Sequence, residues 1–194
     1  MIKRSWILTP ALGFCLLLSG CFTSDQALFD QRSGSALLGG GDVTVTGHSM
    51  DRKDHGAGGT NDVGVLHWSD GVYVDVTDEE KATLSFHRLP GTWPWDGWYI
   101  GETQTNAENG KSYLYELYRK ADDKLLIYNI SCRDLTDLEA EQAHMVRTQS
   151  GVECKTSRQS DLAMAVRLLA RRKGPEAYWT FQSAPSPPNP PAPR

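Results

Sequence analysis

The feature that most constrains the fold is a series of short segments in which apolar and polar residues alternate, separated by turn-forming residues. Asp70-Gly71 and Asn109-Gly110 each separate two such segments, and these dipeptides are strong signals for β-hairpins. The pattern predicts an antiparallel β-meander of about six strands. The predicted strands are Val63–Trp68, Val72–Thr77, Ala82–Arg88, Trp98–Thr105, Lys111–Lys120 and Lys124–Cys132.

Two helices and a last strand are predicted after the meander. Thr136 and Glu139 form a capping box that opens a helix of about 137–149. A second helix, 160–173, ends before a Gly-Pro pair, and 176–182 has the pattern of a strand. The second helix carries an apolar stripe that consists of Leu162, Val166, Leu169 and Ala170. Strands followed by helices indicate the α+β class.

The N-terminal residues have the features of a secretory signal peptide. Lys3 and Arg4 precede the apolar stretch Trp6–Leu18. This stretch is shorter than the roughly 20 apolar residues of a spanning helix, and it contains Pro10. A positive start, a short apolar segment and small residues at the end are typical of a signal peptide that is removed.

The signal peptide ends in Leu18-Ser19-Gly20-Cys21, which resembles the lipobox of bacterial lipoproteins. The resemblance implies that a diacylglyceryl group is attached to the Cys21 thiol and that the chain is cleaved after Gly20. It further implies N-acylation of the new terminus in many bacteria. Phe22 stands where an aspartate would mark retention in the inner membrane. The resemblance therefore favours the periplasmic face of the outer membrane over the inner membrane.

Composition divides the chain into four parts. Residues 21–62 are rich in Gly, Ser and Asp, which predicts a flexible tether around one isolated short strand, 42–46. The leucines and phenylalanine at 28–29 and 37–38 are possible docking points within this tether. The predicted parts are a signal peptide (1–20), a lipidated N-terminus with the tether (21–62), a single α+β domain (63–183) and a Pro-rich disordered tail (184–194).

Four cysteines reduce to one predicted disulfide. Cys15 leaves with the signal peptide, and Cys21 is the lipidation site. Cys132 and Cys154 remain as an even pair in an exported chain, where disulfides form readily. Free thiols for redox or metal chemistry are the alternative, but neither cysteine lies in a C-x-x-C motif.

Charge limits the classes of partner. The chain has 20 basic and 24 acidic residues, and removal of the signal peptide leaves 18 basic residues and a formal charge of −6. This charge excludes binding of nucleic acid or anionic lipid by net charge alone. The lipid on Cys21 would make the membrane attachment. A basic cluster at the end of the second predicted helix either compensates the helix dipole or binds an anionic partner; it consists of Arg167, Arg171, Arg172 and Lys173.

The sequence contains no P-loop, dinucleotide-binding glycine pattern, zinc-protease motif or catalytic-cysteine motif. Gly47-His48-Ser49-Met50-Asp51 resembles the nucleophile elbow of α/β-hydrolases, but Asp51 replaces the second glycine and the next residues are too Gly-rich for a helix. A metal site formed by His48, Asp51, Asp54 and His55 is weighed against a solvated polar linker. We predict no catalytic residues, no metal and no cofactor.

Tryptophans cluster in the connector between the third and fourth predicted strands. Trp93, Trp95 and Trp98 lie among Pro and Gly residues, with Asp96 between them. Exposed indoles would form a stacking platform for a sugar or a peptide, whereas buried indoles would cover the core. We expect Trp98 to be buried because it begins a strand, and Trp93 or Trp95 to be partly exposed. Trp93, Trp95 and Asp96 are therefore the candidate binding surface.

Two functional classes follow from these observations. The order of lipid, tether and small domain resembles that of many small envelope lipoproteins of Gram-negative bacteria. This resemblance implies a non-enzymatic binding or assembly module for an envelope protein or a glycan. The alternative is a cell-wall hydrolase whose Asp and Glu residues are scattered in the sequence. Two facing carboxylates with perturbed pKa values would favour the enzyme.

Overall fold

A computed structural model describes residues 22–50, 63–76, 82–90, 94–107, 110–148 and 153–183. Within these residues the strands are β1 (Phe22–Ser24), β2 (Asp42–Ser49), β3 (Val63–Ser69), β4 (Val72–Asp75), β5 (Thr83–Arg88), β6 (Trp98–Ala107), β7 (Gly110–Ala121), β8 (Lys124–Tyr128), β9 (Val146–Arg147), β10 (Cys154–Lys155) and β11 (Ala177–Ser183). The α-helices are α1 (Asp137–Gln142) and α2 (Gln159–Ala170). The predicted tail 184–194 lies outside the described residues.

Eight of these strands form a closed antiparallel barrel. Strands β2 to β8 pair in chain order, and β11 pairs with both β8 and β2. The predicted antiparallel order of neighbouring strands is therefore confirmed, but the open meander is wrong. The fold is mostly β, with short helices outside the barrel. The closing contact is the register from Ala177↔Ser49 to Ser183↔Val43, which joins distant segments and leaves no local signal in the sequence.

The hairpin signals act through backbone conformation. Asp70 and Gly71, between β3 and β4, have φ angles of 50° and 90°. Two consecutive positive φ angles are required by the tight turns whose twist matches that of antiparallel strands. Asp122, between β7 and β8, also has a positive φ of 53°. Of the other predicted hairpin signal, Asn109-Gly110, Asn109 lies outside the described residues.

The inward-facing side chains form the first core, at the centre of the barrel. Its fully buried members are Val43, Tyr73, Leu84, Phe86, Tyr118 and Leu125. Gly101 is required here, because a Cβ at this position would lie 2.4 Å from the Tyr118 ring. Leu37 and Leu38 cover one end of this core, where the Leu38 N–H donates to the Tyr73 hydroxyl at 2.9 Å.

The second core lies between the outer face of β6–β8 and two parts of the chain outside the barrel, the segment before β2 and the segment between β8 and β11. The stripe of α2 packs here, with Leu162, Val166 and Leu169 fully buried. Strand β7 is covered on both faces, because Tyr115 belongs to this second core and Tyr118 to the first.

Helix α1 begins as predicted but ends early. The Thr136–Glu139 capping box is present. The helix ends at Gln142 rather than near 149, because His144 has a φ of 50° and strand β9 follows at Val146.

Where the structure describes it, the segment predicted as a tether is packed on the barrel. Phe22 is fully buried in β1, which pairs antiparallel with β7 and parallel with β10. Phe29, Leu37 and Leu38 are buried, which confirms them as docking points. Residues 42–49 form a full barrel strand rather than an isolated one. A few large apolar residues fix this segment despite its Gly and Ser content. Residues 51–62 lie outside the described residues.

Candidate functional sites

Trp98 and Trp95 pack on the protein itself. Trp98 opens β6, is 7% exposed and lies 4.7 Å from the Tyr128 ring, so its predicted burial is confirmed. Trp95 is 9% exposed and contacts Trp98 edge-on at 5.9 Å. The expected exposed platform is therefore wrong for Trp95, and Trp93 lies outside the described residues.

Arginine side chains lie close to both indole rings. The guanidinium carbons of Arg167 and Arg171 each lie 5.9 Å from the Trp95 ring centre, and that of Arg119 lies 5.5 Å from the Trp98 ring centre. A cation in this position is attracted by the negative face of the ring. The indoles therefore bind the protein's own arginines, in place of the sugar or peptide that the sequence suggested.

Asp96 is exposed, as a binding surface requires, but it is ion-paired with Arg88. Both partners are largely solvated, so the pair contributes little to stability. Of the candidate surface predicted from the sequence, Asp96 alone is exposed among the described residues.

The basic residues that follow α2 form ion pairs with neighbouring segments. Arg172 lies 3.1 Å from Glu139 of α1, and Lys173 lies 2.6 Å from Asp134. Arg172 also donates to the Asp134 carbonyl at 3.1 Å. These cations therefore have partners within the chain, in addition to the dipole of the helix that they end.

A buried polar cluster, which the sequence reasoning missed, lies on the outer face of β5–β7. We call it the Glu102 cluster, and it consists of Ser85, His87, Glu102 and Tyr115. Glu102 is 1% exposed and His87 is 5% exposed. The Glu102 carboxylate accepts the Tyr115 hydroxyl at 3.0 Å, and His87 Nε2 lies 2.8 Å from the Ser85 hydroxyl.

The N-terminal segment 24–35 covers this cluster. The Phe29 ring stacks on His87 with 4.3 Å between ring centres. The Leu28 N–H donates to Glu102 at 2.9 Å, and the Tyr115 hydroxyl also lies 3.4 Å from the Gln26 carbonyl. One carboxylate, one phenol and one imidazole thus fasten the segment to the barrel wall.

Burial dominates the electrostatics of the cluster. It raises the pKa of Glu102, although the hydrogen bonds from Leu28 and Tyr115 oppose this shift. Burial lowers the pKa of His87 to about 4, with the Asp30 carboxylate opposing. The pKa of Tyr115 is raised by burial and by the neighbouring Glu102 carboxylate. The second carboxylate oxygen of Glu102, Oε1, is buried without a hydrogen-bond partner.

The chemistry of the Glu102 cluster is that of a structural attachment. A perturbed pKa can mark a catalytic group, but a hydrolase needs a cleft in which a second carboxylate faces the first. The hydrogen-bond partners of Glu102 are a backbone N–H and a phenol, and Phe29 closes the surface above. One signal could have located the cluster: Glu102 alternates in phase with Trp98 and Ile100, on the apolar face of its strand.

Other motifs of the sequence do not assemble into sites. Ser49 ends strand β2, and His48 stacks on Tyr178 at 4.6 Å. His67 pairs with Asp42. No group of three or more metal-ligating side chains occurs in the described part of the chain. Asp51, Asp54 and His55 lie outside it.

The region next to the predicted lipidation site contains the disulfide. The expected bond between Cys132 and Cys154 is present, with 5.2 Å between the Cα atoms. Cys154 lies opposite Phe22 in the β1–β10 pairing, so the bridge ties the first described strand to the segment before α1. Cys21 lies outside the described residues.

None of the helices that the structure describes is long and apolar enough to cross a membrane. Comparison of the chain with protein-family models, with curated proteins and with solved structures finds no match.

Proposed function

We propose that this protein is an envelope lipoprotein that is anchored through Cys21 and serves as a non-enzymatic binding or assembly module. The observation that carries the proposal is the position of Phe22. This residue is fully buried and strand-paired, and it directly follows the lipobox cysteine. A buried, strand-paired residue thus lies directly after the end that lipoprotein processing would create.

Two further observations support this placement. The Cys132–Cys154 disulfide suits an exported protein in an oxidising compartment. The formal charge of −6 after removal of residues 1–20 makes electrostatic attachment to anionic lipid unfavourable, so membrane attachment requires the acyl chains. Phe22 next to the cysteine favours the outer membrane.

The binding role is favoured over the hydrolase because the carboxyl with the raised pKa, Glu102, is 1% exposed. A glycan cannot reach it while the N-terminal segment is in place. The partner we propose is a protein or a glycan of the envelope. Incubation with purified cell-wall sacculi tests this part: we expect no release of soluble fragments. Release that is abolished by Glu102→Gln would instead identify a hydrolase.

The anchor is tested by labelling cells with a radioactive fatty acid. We expect Cys21→Ser to abolish labelling and leave an uncleaved or soluble chain. Cys15→Ser is the matched control, because this cysteine lies inside the signal peptide, and it should label normally. Continued labelling of the Cys21→Ser variant would refute lipidation at this position.

A further inference from the structure

Leu138 and Val146 are unusually exposed for large hydrophobic residues. Their exposed fractions are 63% and 66%, the two highest values among the large hydrophobic side chains that the structure describes. Leu138 lies on α1, and Val146 lies on β9, which packs against α1. Arg147 of β9 lies 3.5 Å from Asp137 of α1, and it donates to the carbonyl of Leu135, two residues before α1, at 2.6 Å. We call the exposed parts of α1 and β9, which carry these two side chains, the α1–β9 face.

The α1–β9 face is joined to the start of the fold by strand pairing. Val146 lies opposite Lys155 of β10, and Lys155 lies opposite Thr23 of β1. Two strand spacings, about 10 Å, therefore separate Val146 from Thr23. The Cys132–Cys154 disulfide fixes β10 to the segment that leads into α1. The face and Phe22 thus belong to one cross-linked unit.

The position of the anchor brings a membrane to this unit. Cys21 is bonded to Phe22, so the two Cα atoms are about 3.8 Å apart. Phe22 is fully buried, which leaves no flexible spacer between a lipidated Cys21 and the folded protein. A bilayer that holds the acyl chains must then lie against the surface around β1, β10 and β9.

Two cations of this unit are ion-paired within the chain, whereas Glu141 and Glu153 of the same unit are exposed carboxylates. Lys155 lies 2.9 Å from Asp25, and Arg147 lies 3.5 Å from Asp137. The chain after residue 20 carries a formal charge of −6, so anionic headgroups offer no general attraction. Exposed aliphatic side chains are the groups on this side of the molecule that gain free energy by leaving water.

We propose that the α1–β9 face rests on the lipid bilayer, with Leu138 and Val146 entering the interfacial layer. This inference rests on the proposed lipidation of Cys21. The acyl chains supply the affinity, and the two side chains fix the orientation of the barrel on the membrane.

The test uses the full-length lipidated protein in vesicles of phosphatidylcholine. Leu138→Cys and Val146→Cys are labelled separately with an environment-sensitive fluorophore, after mass mapping has shown the Cys132–Cys154 bond intact. Val76→Cys and Met164→Cys are matched controls, because these side chains are 57% and 47% exposed and lie on other elements. We expect the emission at 138 and 146 to move to shorter wavelength on reconstitution, and that at 76 and 164 to stay unchanged.

Each other outcome identifies what fails. If the protein is acylated and floats with the vesicles, but 138 and 146 remain in a polar environment, the docking face is wrong while the lipoprotein proposal survives. A shift at all four positions would indicate non-specific adsorption and would also refute the face. If Cys21 takes up no lipid and the protein does not float, both proposals fall together. A shift at 138 and 146 that appears only when an envelope protein is added would assign the face to that protein instead of the bilayer.

Discussion

Acidification should destabilise the protein through His87. This side chain is 5% exposed and stacks on Phe29, and its pKa is about 4 in the folded state against 6.5 for the ordinary group. Between these values the unfolded chain binds a proton that the folded chain does not. The contribution of neutral His87 is therefore complete above pH 6.5 and is lost as the pH falls toward 4.

The size of this effect follows from the shift in pKa. Each unit corresponds to about 1.4 kcal/mol, so a change from 6.5 to about 4 corresponds to a loss of about 3 kcal/mol. Domains of this kind are stable by about 5–15 kcal/mol, so the loss is a large share. Other charged groups near His87 are Asp30, whose carboxylate opposes the shift, and Glu102, whose pKa is raised.

Urea unfolding at a series of pH values from 4 to 7.5 measures the effect. The free energy of unfolding of the wild type should fall relative to that of His87→Phe as the pH decreases, by about 3 kcal/mol in total. The phenylalanine keeps a ring against Phe29 but cannot titrate. His67→Phe is the matched control, because His67 is exposed. If the free energies of unfolding of the wild type and His87→Phe change with pH in the same way, His87 is not buried in its neutral form.

Three further predictions concern groups buried in the same fold. Because the pKa of Glu102 is raised, its contribution to stability is greatest at low pH and falls as the pH rises above 4.5. In urea unfolding, Glu102→Gln should remove this dependence of the free energy of unfolding on pH. An unchanged dependence would mean that the pKa of Glu102 is not raised. Replacing both Cys132 and Cys154, which are 22 residues apart, by serine should lower the free energy of unfolding by about 3 kcal/mol, whereas equal stability would mean that the bond does not form. Trp98→Ala should lower it by about 3–5 kcal/mol, and a loss below 1 kcal/mol would contradict the burial of this ring.

Local patterns in the sequence predicted the strands that pair with the next strand along the chain. Alternation together with Asp70-Gly71 specifies both a strand pair and its turn, and positive φ angles at these residues are the physical reason. The capping box at Thr136 likewise marks the start of α1. Barrel closure was not predictable in this way, because β2 meets β11 across most of the chain and no local signal encodes that contact.

The N-terminal segment and the Glu102 cluster were missed for a related reason. Phe22 is a single apolar residue among polar and small ones, and Phe29 belongs to the short pair Leu28-Phe29. Their burial depends on β7 and His87, against which they pack. A glutamate on an apolar strand face could have been noticed at position 102. Its partner, the Leu28 N–H, comes from a segment that composition indicated to be flexible.

The pairing of Phe22 with Cys154 has a consequence for the order of events in biogenesis. Strand β1 cannot be completed until β7 and β10 have been synthesised, and pairing between such distant residues is slow to form. Until then Phe22 lacks its strand partners. Under the lipidation that we propose, the enzymes that modify and cleave the chain at Cys21 would have to act in that interval, since the finished fold buries Phe22. A variant that folds too early would therefore be expected to escape lipid attachment.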